Sequence, residues 1–183
     1  AGGLDVHVRD FAGGALALQA VHDGAAHVCS GAYEHTLLQQ SQGHDFRAFV
    51  VQGRAPQQAL GVSVRALPGY RRPADLRGRR VGVSAPGSST QVMASVLLAR
   101  AGVDAREVSF VGVGTGATAV AALRTGRVHA LCHADPIMSL LEHRGEVRLV
   151  SDLRTLTAAQ EVFGGAIPAS CLYAPQAFLH KEP

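Results

Sequence analysis

The sequence predicts an α/β protein of two lobes, with mostly parallel sheets, helices on both faces, and two hinge strands joining the lobes. Three observations carry this expectation. Short apolar runs alternate with helix-period segments along nearly the whole 183-residue chain, the rhythm of parallel strands covered by crossover helices. Gly24, Gly43, Gly102, Gly126 and Gly145 fall where the helical patterns stop, each suited to the left-handed residue that closes a helix. The rhythm breaks once, in the irregular stretch 67–80 that contains Pro68, Gly69 and Pro73.

In order, residues 4–8 read as a strand and 15–21 as a helix, followed by a strand at 26–29, a helix at 33–42 and a strand at 46–51. The apolar run 59–64 suits a strand crossing into a second lobe. After the irregular stretch come strands at 81–84, 108–113, 128–132 and 147–150, separated by helices near 91–101, 117–123 and 136–143. A second crossing strand, 170–173, is bounded by Pro168 and Pro175. The expected first lobe is therefore 1–62 plus 170–183, and it is incomplete. The second lobe is 67–167, with hinge segments near 62–66 and 168–173 and the strands around Val62 and Leu172 adjacent. Two alanine-rich helix–glycine–strand units, 17–29 and 122–132, echo one another and support two lobes rather than one sheet.

Composition excludes several classes. Apolar residues make up 47% against 17% charged, and mean hydropathy is +0.13, which rules out a disordered chain. No apolar run reaches the roughly 18 to 20 residues of a bilayer span, and no secretory signal pattern opens the sequence. The net charge of +3 is small, Trp is absent, and no helix carries Lys or Arg on one face, so no nucleic-acid partner is expected. Cys29, Cys132 and Cys171 form no CxxC pair, sit in or beside apolar runs, and are expected to stay reduced. Catalysis finds no constellation. There is no HExxH or GxSxG, the nine histidines are read as lacking metal partners, and no metal or cofactor is expected. A Cys29 or Cys132 nucleophile with His35 or His133 remains a pairing on paper only.

The chemistry concentrates in four strand-to-helix loops. In 81–90 a strand runs through Pro86-Gly87 into Ser88, Ser89 and Thr90, where orphan helix N–H groups and spare hydroxyls suit an anion; a simple N-cap needs only one of the three. Residues 113–119 repeat the arrangement as GxGxxA around Gly116. As a dinucleotide fingerprint it would need Asp135 as its acidic partner, a poor fit, and no Walker lysine is present. The remaining loops are 30–35, with Gly31, Tyr33 and Glu34, and 133–136, with Asp135. Ligands of open α/β sheets bind at the carboxyl ends of strands, where all four loops lie. Each residue also has a plainer role. Asp135 before Pro136 is a natural helix cap, Glu34 complements a helix dipole, and core packing serves Tyr33 equally well.

The segment 5–11 with Gly13-Gly14, the segments 24–33 and 76–83 (Leu76-Arg77-Gly78-Arg79-Arg80-Val81-Gly82-Val83), the turn 84–90, the stretch 111–123 and Gly126-Arg127-Val128-His129-Ala130 together resemble a known family. It is that of the periplasmic solute-binding proteins of ABC importers for sulfonates, nitrate, taurine and thiamine-precursor pyrimidines, with the type 2 periplasmic-binding-protein fold. The resemblance implies a non-enzymatic, bilobal periplasmic protein, a monomer when full length, that captures a small molecule in its cleft and delivers it to a membrane permease. It implies ligand contacts at Gly31, Tyr33 and Glu34 on one wall and at Ser88, Ser89, Thr90, Gly116 and Asp135 on the other, the serines and threonine taking the acidic end. Hydroxyls and helix N-termini suit sulfonate, carboxylate or phosphate, whereas Glu34 and Asp135 favour an amine or ring N–H. It also implies that this chain is a fragment, because relatives have a further strand and loop before residue 4 and helices after residue 181. The alternatives on the same fold are the ligand-sensing domain of a transcription regulator and an enzyme of thiamine-pyrimidine or menaquinone synthesis. The cysteine-rich motif expected of the former enzyme is not present.

Overall fold

A computed structural model describes residues 3 and 5–181. The start of the expected strand 4–8 and the end of the segment 170–183 lie outside the described residues. Residues 5–8 form no strand: they are irregular and exposed, with Val6 at 70% and Val8 at 83%. Their alternation has a strand's period, but among the described residues no sheet edge pairs with it.

The chain runs through α1 (Gly14–His22), β1 (Cys29–Ala32), α2 (Glu34–Ser41), β2 (Phe46–Val51) and β3 (Gln58–Ser63). It continues through a 3-10 turn (Pro73–Leu76), β4 (Arg80–Val83), α3 (Ser89–Arg100), a second 3-10 turn (Ala105–Glu107), β5 (Ser109–Gly112) and α4 (Ala117–Arg124). β6 (Ala130–Ala134), α5 (Ile137–His143), β7 (Val147–Asp152), α6 (Leu156–Phe163), β8 (Ser170–Pro175) and α7 (Gln176–Lys181) complete it. The five glycines expected to end helices all have φ between +66° and +85°.

Two sheets result. The larger has the order β5-β4-β6-β3-β7, with β4 parallel to β5 and β6, and β3 antiparallel to β6 and β7. Four of its five strands therefore share one direction, the mostly parallel sheet expected. Its two faces bury separate clusters. Leu60, Val62, Val81 and Val83 pack with Met93, Leu97 and Leu98 of α3, while Leu131 and Val147 pack with Leu123, Met138 and Leu141 of α4 and α5. Helices thus cover both faces. The smaller sheet has the order β1-β8-β2, with β8 antiparallel to both neighbours, over a core of Leu18, Val21, Phe46, Cys171 and Tyr173.

Sheet membership corrects the expected lobe boundary. β3 is hydrogen-bonded between β6 and β7 in the larger sheet, whereas the sequence pattern places residues up to 62 in the first lobe. The strands around Val62 and Leu172 belong to different sheets. The passages between sheets are instead 52–57 and 164–169, and they lie side by side: Gln52 N–H donates to Ser170 O at 2.8 Å and Ala169 N–H to Gly53 O at 2.8 Å. The physical reason is that β3 is buried along its whole length, and a mostly apolar run reads alike as a hinge or as a central strand.

Candidate functional site

A cavity of about 350 Å3 opens between the sheets, and three helix N-termini face it. Gly14 and Ala15 come from α1, Glu34 and His35 from α2, and Ser88 and Ser89 from the start of α3; Gln57 and Gln58 line it where the chain enters β3. These positions follow from local chemistry. The β1–α2 and β4–α3 loops start at the carboxyl edges of their strands, so the residues opening α2 and α3 face the interlobe space; α1 has no strand before it among the described residues. α1 approaches closely enough that a Cβ on Gly14 would lie 3.0 Å from His35 Cε1.

One hydrogen-bonded chain ties the two walls together. Ser89 Oγ–H donates to Glu34 Oε1 at 2.5 Å, and Gln58 Nε2–H donates to Ser89 Oγ. Glu34 is buried, with 6% exposure, and no ion pair to it occurs among the described residues. Burial pushes its pKa above the ordinary 4.5, only partly offset by the Ser89 hydrogen bond. Among the described residues the amide oxygen of Gln58 is buried without a partner, as is Nε2 of His35. His35 Nδ1 contacts Tyr173 Oη at 3.1 Å, and burial lowers its pKa, which keeps the imidazole neutral. Gln57 sits at φ 57°, a left-handed conformation uncommon for a side-chain-bearing residue, at the mouth of the passage between the sheets.

The structure brings some of the expected residues to this cavity and gives others different work. Gly31, Glu34, Ser88 and Ser89 line it. Ser88 is also the N-cap of α3, accepting from Gln91 N–H, and its hydroxyl is engaged with Thr90 Oγ1 at 2.8 Å. Thr90 Oγ1 accepts from Ser84 N–H at 2.8 Å, closing the turn behind the wall. Tyr33 packs partly buried against the core of the smaller sheet. Gly116 is exposed just before α4. Asp135 accepts from the backbone N–H of Ser139 at 2.9 Å and from its hydroxyl at 2.8 Å, and it pairs with Arg154 at 3.4 Å, anchoring α5. Tyr33, Thr90, Gly116 and Asp135 are not among the residues lining the cavity.

His35 and Gln58 line the cavity but were not singled out for binding. His35 reads as one more helix-opening residue; a lone glutamine opening the apolar run 58–63 was the available signal for the other.

The thiols offer no nucleophile. All three are buried and free, Cys132 is pushed up to about 12 and Cys171 to about 11, and Cys29 is also raised. His129 and His133 are four apart, a spacing that brings ligands together on a helix. Here they lie on and just before β6, where four residues span roughly 13 Å. Among the described residues no group of three or more His, Cys, Asp or Glu is placed to hold a metal.

Comparison with known proteins bears on this geometry. The family described as NMT1/THI5 like matches residues 1–183. A solved protein of Bordetella bronchiseptica RB50 is 55% identical, with a TM-score of 0.90 over 97% of this chain and 56% of its own. The alkanesulfonate-binding protein SsuA of Xanthomonas axonopodis pv. citri, solved with MOPS, shares the fold at 23% identity and a TM-score of 0.70, covering 93% of this chain and 55% of its own. The periplasmic nitrate-binding protein NrtA of Synechocystis PCC 6803 shares it at 12% identity and a TM-score of 0.65, covering 93% and 47%. The chain thus spans about half the length of these solved relatives. No curated protein matches it.

Proposed function

The chain belongs to the NMT1/THI5-like family, and on that premise we propose that it captures a small organic anion or heterocycle between its lobes as the substrate-binding part of an ABC importer. The observation that carries this reading is the bond between Ser89 and Glu34, which joins residues of the two lobes at the edge of a common cavity. Ligand contacts made on both walls at once favour the closed arrangement, because only that arrangement supplies all of them. Gly31, Glu34, His35, Gln58, Ser88 and Ser89 form the site. The protein acts in the periplasm as a monomer, presents its closed form to a membrane permease, and releases its ligand chemically unchanged.

Native mass spectrometry of the full-length protein, purified without denaturation, tests the reading. A single small-molecule adduct that is lost on unfolding is the expected result. A clean unliganded mass, together with no rise in melting temperature across a panel of small anions and heterocycles, overturns it.

A further inference from the structure

The polar groups of the cavity are not neutral in their preference. Ser89 gives its hydroxyl proton to Glu34 and takes an N–H from Gln58, and the Ser88 hydroxyl is engaged with Thr90, so the hydroxyl cluster has few donors to spare. Two acceptors remain, one from each side: the carboxylate of Glu34, with no paired cation among the described residues, and the amide oxygen of Gln58, buried without a partner among them; the ring nitrogen Nε2 of His35 is the one other buried polar side-chain atom left open there, and as a single neutral imidazole nitrogen it offers at most one hydrogen bond. Among the described residues no Lys or Arg lines the cavity, and His35 adds no charge.

We propose that the cleft selects a ligand whose polar end is a nitrogen donor, such as an amidine, a guanidine, an amino-heterocycle or a protonated amine, over an oxoanion. This rests on reading the cavity as the ligand site. An N–H group lying between Glu34 and Gln58 satisfies both acceptors, and a charged donor also supplies the countercharge Glu34 lacks. An oxoanion would bring its negative charge beside a desolvated carboxylate, with neutral hydroxyls, one neutral imidazole, backbone N–H groups and helix dipoles but no cationic side chain among the lining residues to offset it. The cavity has room for a six-membered ring with such a group, since a void of about 150 Å3 already holds benzene.

The test compares two probes of the same shape, benzamidinium and benzenesulfonate, titrated by calorimetry into the full-length protein and into its Glu34→Gln and Ser89→Trp variants, each first checked for cooperative melting. The expected result is saturable binding of benzamidinium alone, weakened roughly tenfold or more in Glu34→Gln and lost in Ser89→Trp. Tighter binding of benzenesulfonate that is lost in Ser89→Trp overturns the donor preference and leaves the cleft reading standing. Benzamidinium binding that is indifferent to both substitutions moves the site out of the cleft and overturns both. Binding of neither probe overturns the donor preference.

Discussion

Glu34 is the residue on which folding and binding pull in opposite directions. Its carboxylate is desolvated, which raises its pKa in the folded protein above the unfolded value near 4.5. A group shifted that way contributes stability that is fully present below the unfolded pKa and is lost as pH rises through the folded pKa. Glu34→Gln removes that loss and retains an oxygen to accept from Ser89. The variant is therefore expected to melt higher than the parent at pH 7 in the absence of ligand, with the difference closing as pH falls toward 4, as read by fluorimetry across a pH series. A difference that does not change with pH, or a lower melting temperature at pH 7, contradicts this account of the carboxylate.

The same scale shows what a sequence can and cannot reveal of a site. The sequence points to Glu34, Ser88 and Ser89, which line the cavity, because polar residues opening helices at the carboxyl ends of strands have few structural duties beyond one cap. Thr90 and Asp135 have the same signature, yet their side-chain oxygens are taken by Ser84 and Ser139. Gln58 was hidden because its value lies in an unpartnered oxygen, which depends on three-dimensional neighbours rather than on residue type.

Among the elements, β4 shows how tightly the larger sheet is built around the site. Gly82 lies between Leu131, Val128 and Val113, and a Cβ there would come within 2.9 Å of Leu131 Cδ1 and 3.2 Å of Val128 Cγ2. Since β4 leads directly into the turn that places Ser88 and Ser89, crowding it strains both the core and the cavity wall. Gly82→Val is expected to destabilise the protein by about 1 to 3 kcal/mol, the usual range for overpacking, measured as a lowered urea midpoint. An unchanged midpoint would mean that the packing around β4 yields more easily than these distances allow.

Most of the elements were legible from the alternation of apolar runs and helix-period segments, with glycines at the helix ends. The smaller sheet pairs only antiparallel where mostly parallel pairing is expected, and the helix Leu156–Phe163 is not among the expected elements; two other readings differ for identifiable reasons. Residues 5–8 alternate like a strand but have no sheet edge to join among the described residues. The run 58–63 is buried on both faces, and its apolar middle does not tell a crossing strand from a central one.

At the scale of the molecule, two sheets are connected twice, by passages that are hydrogen-bonded to each other and that leave the lobes joined along one side. The cavity lies between the sheets, and the Gln58–Ser89–Glu34 chain spans it. On the proposed reading, ligand capture and lobe closure are a single equilibrium: whatever satisfies Glu34 and Gln58 together also holds the walls together. Pairing order was beyond the sequence, because the return of β8 between β1 and β2 depends on contacts about 120 to 140 residues apart along the chain.

The most direct measurement is a crystal structure of the full-length protein purified with its bound molecule. Density for a small molecule is expected between the sheets, with a nitrogen of the ligand within hydrogen-bonding distance of the Glu34 carboxylate and of the Gln58 amide oxygen. A molecule bound elsewhere, or one that turns an oxoanion toward Glu34, would contradict that expectation.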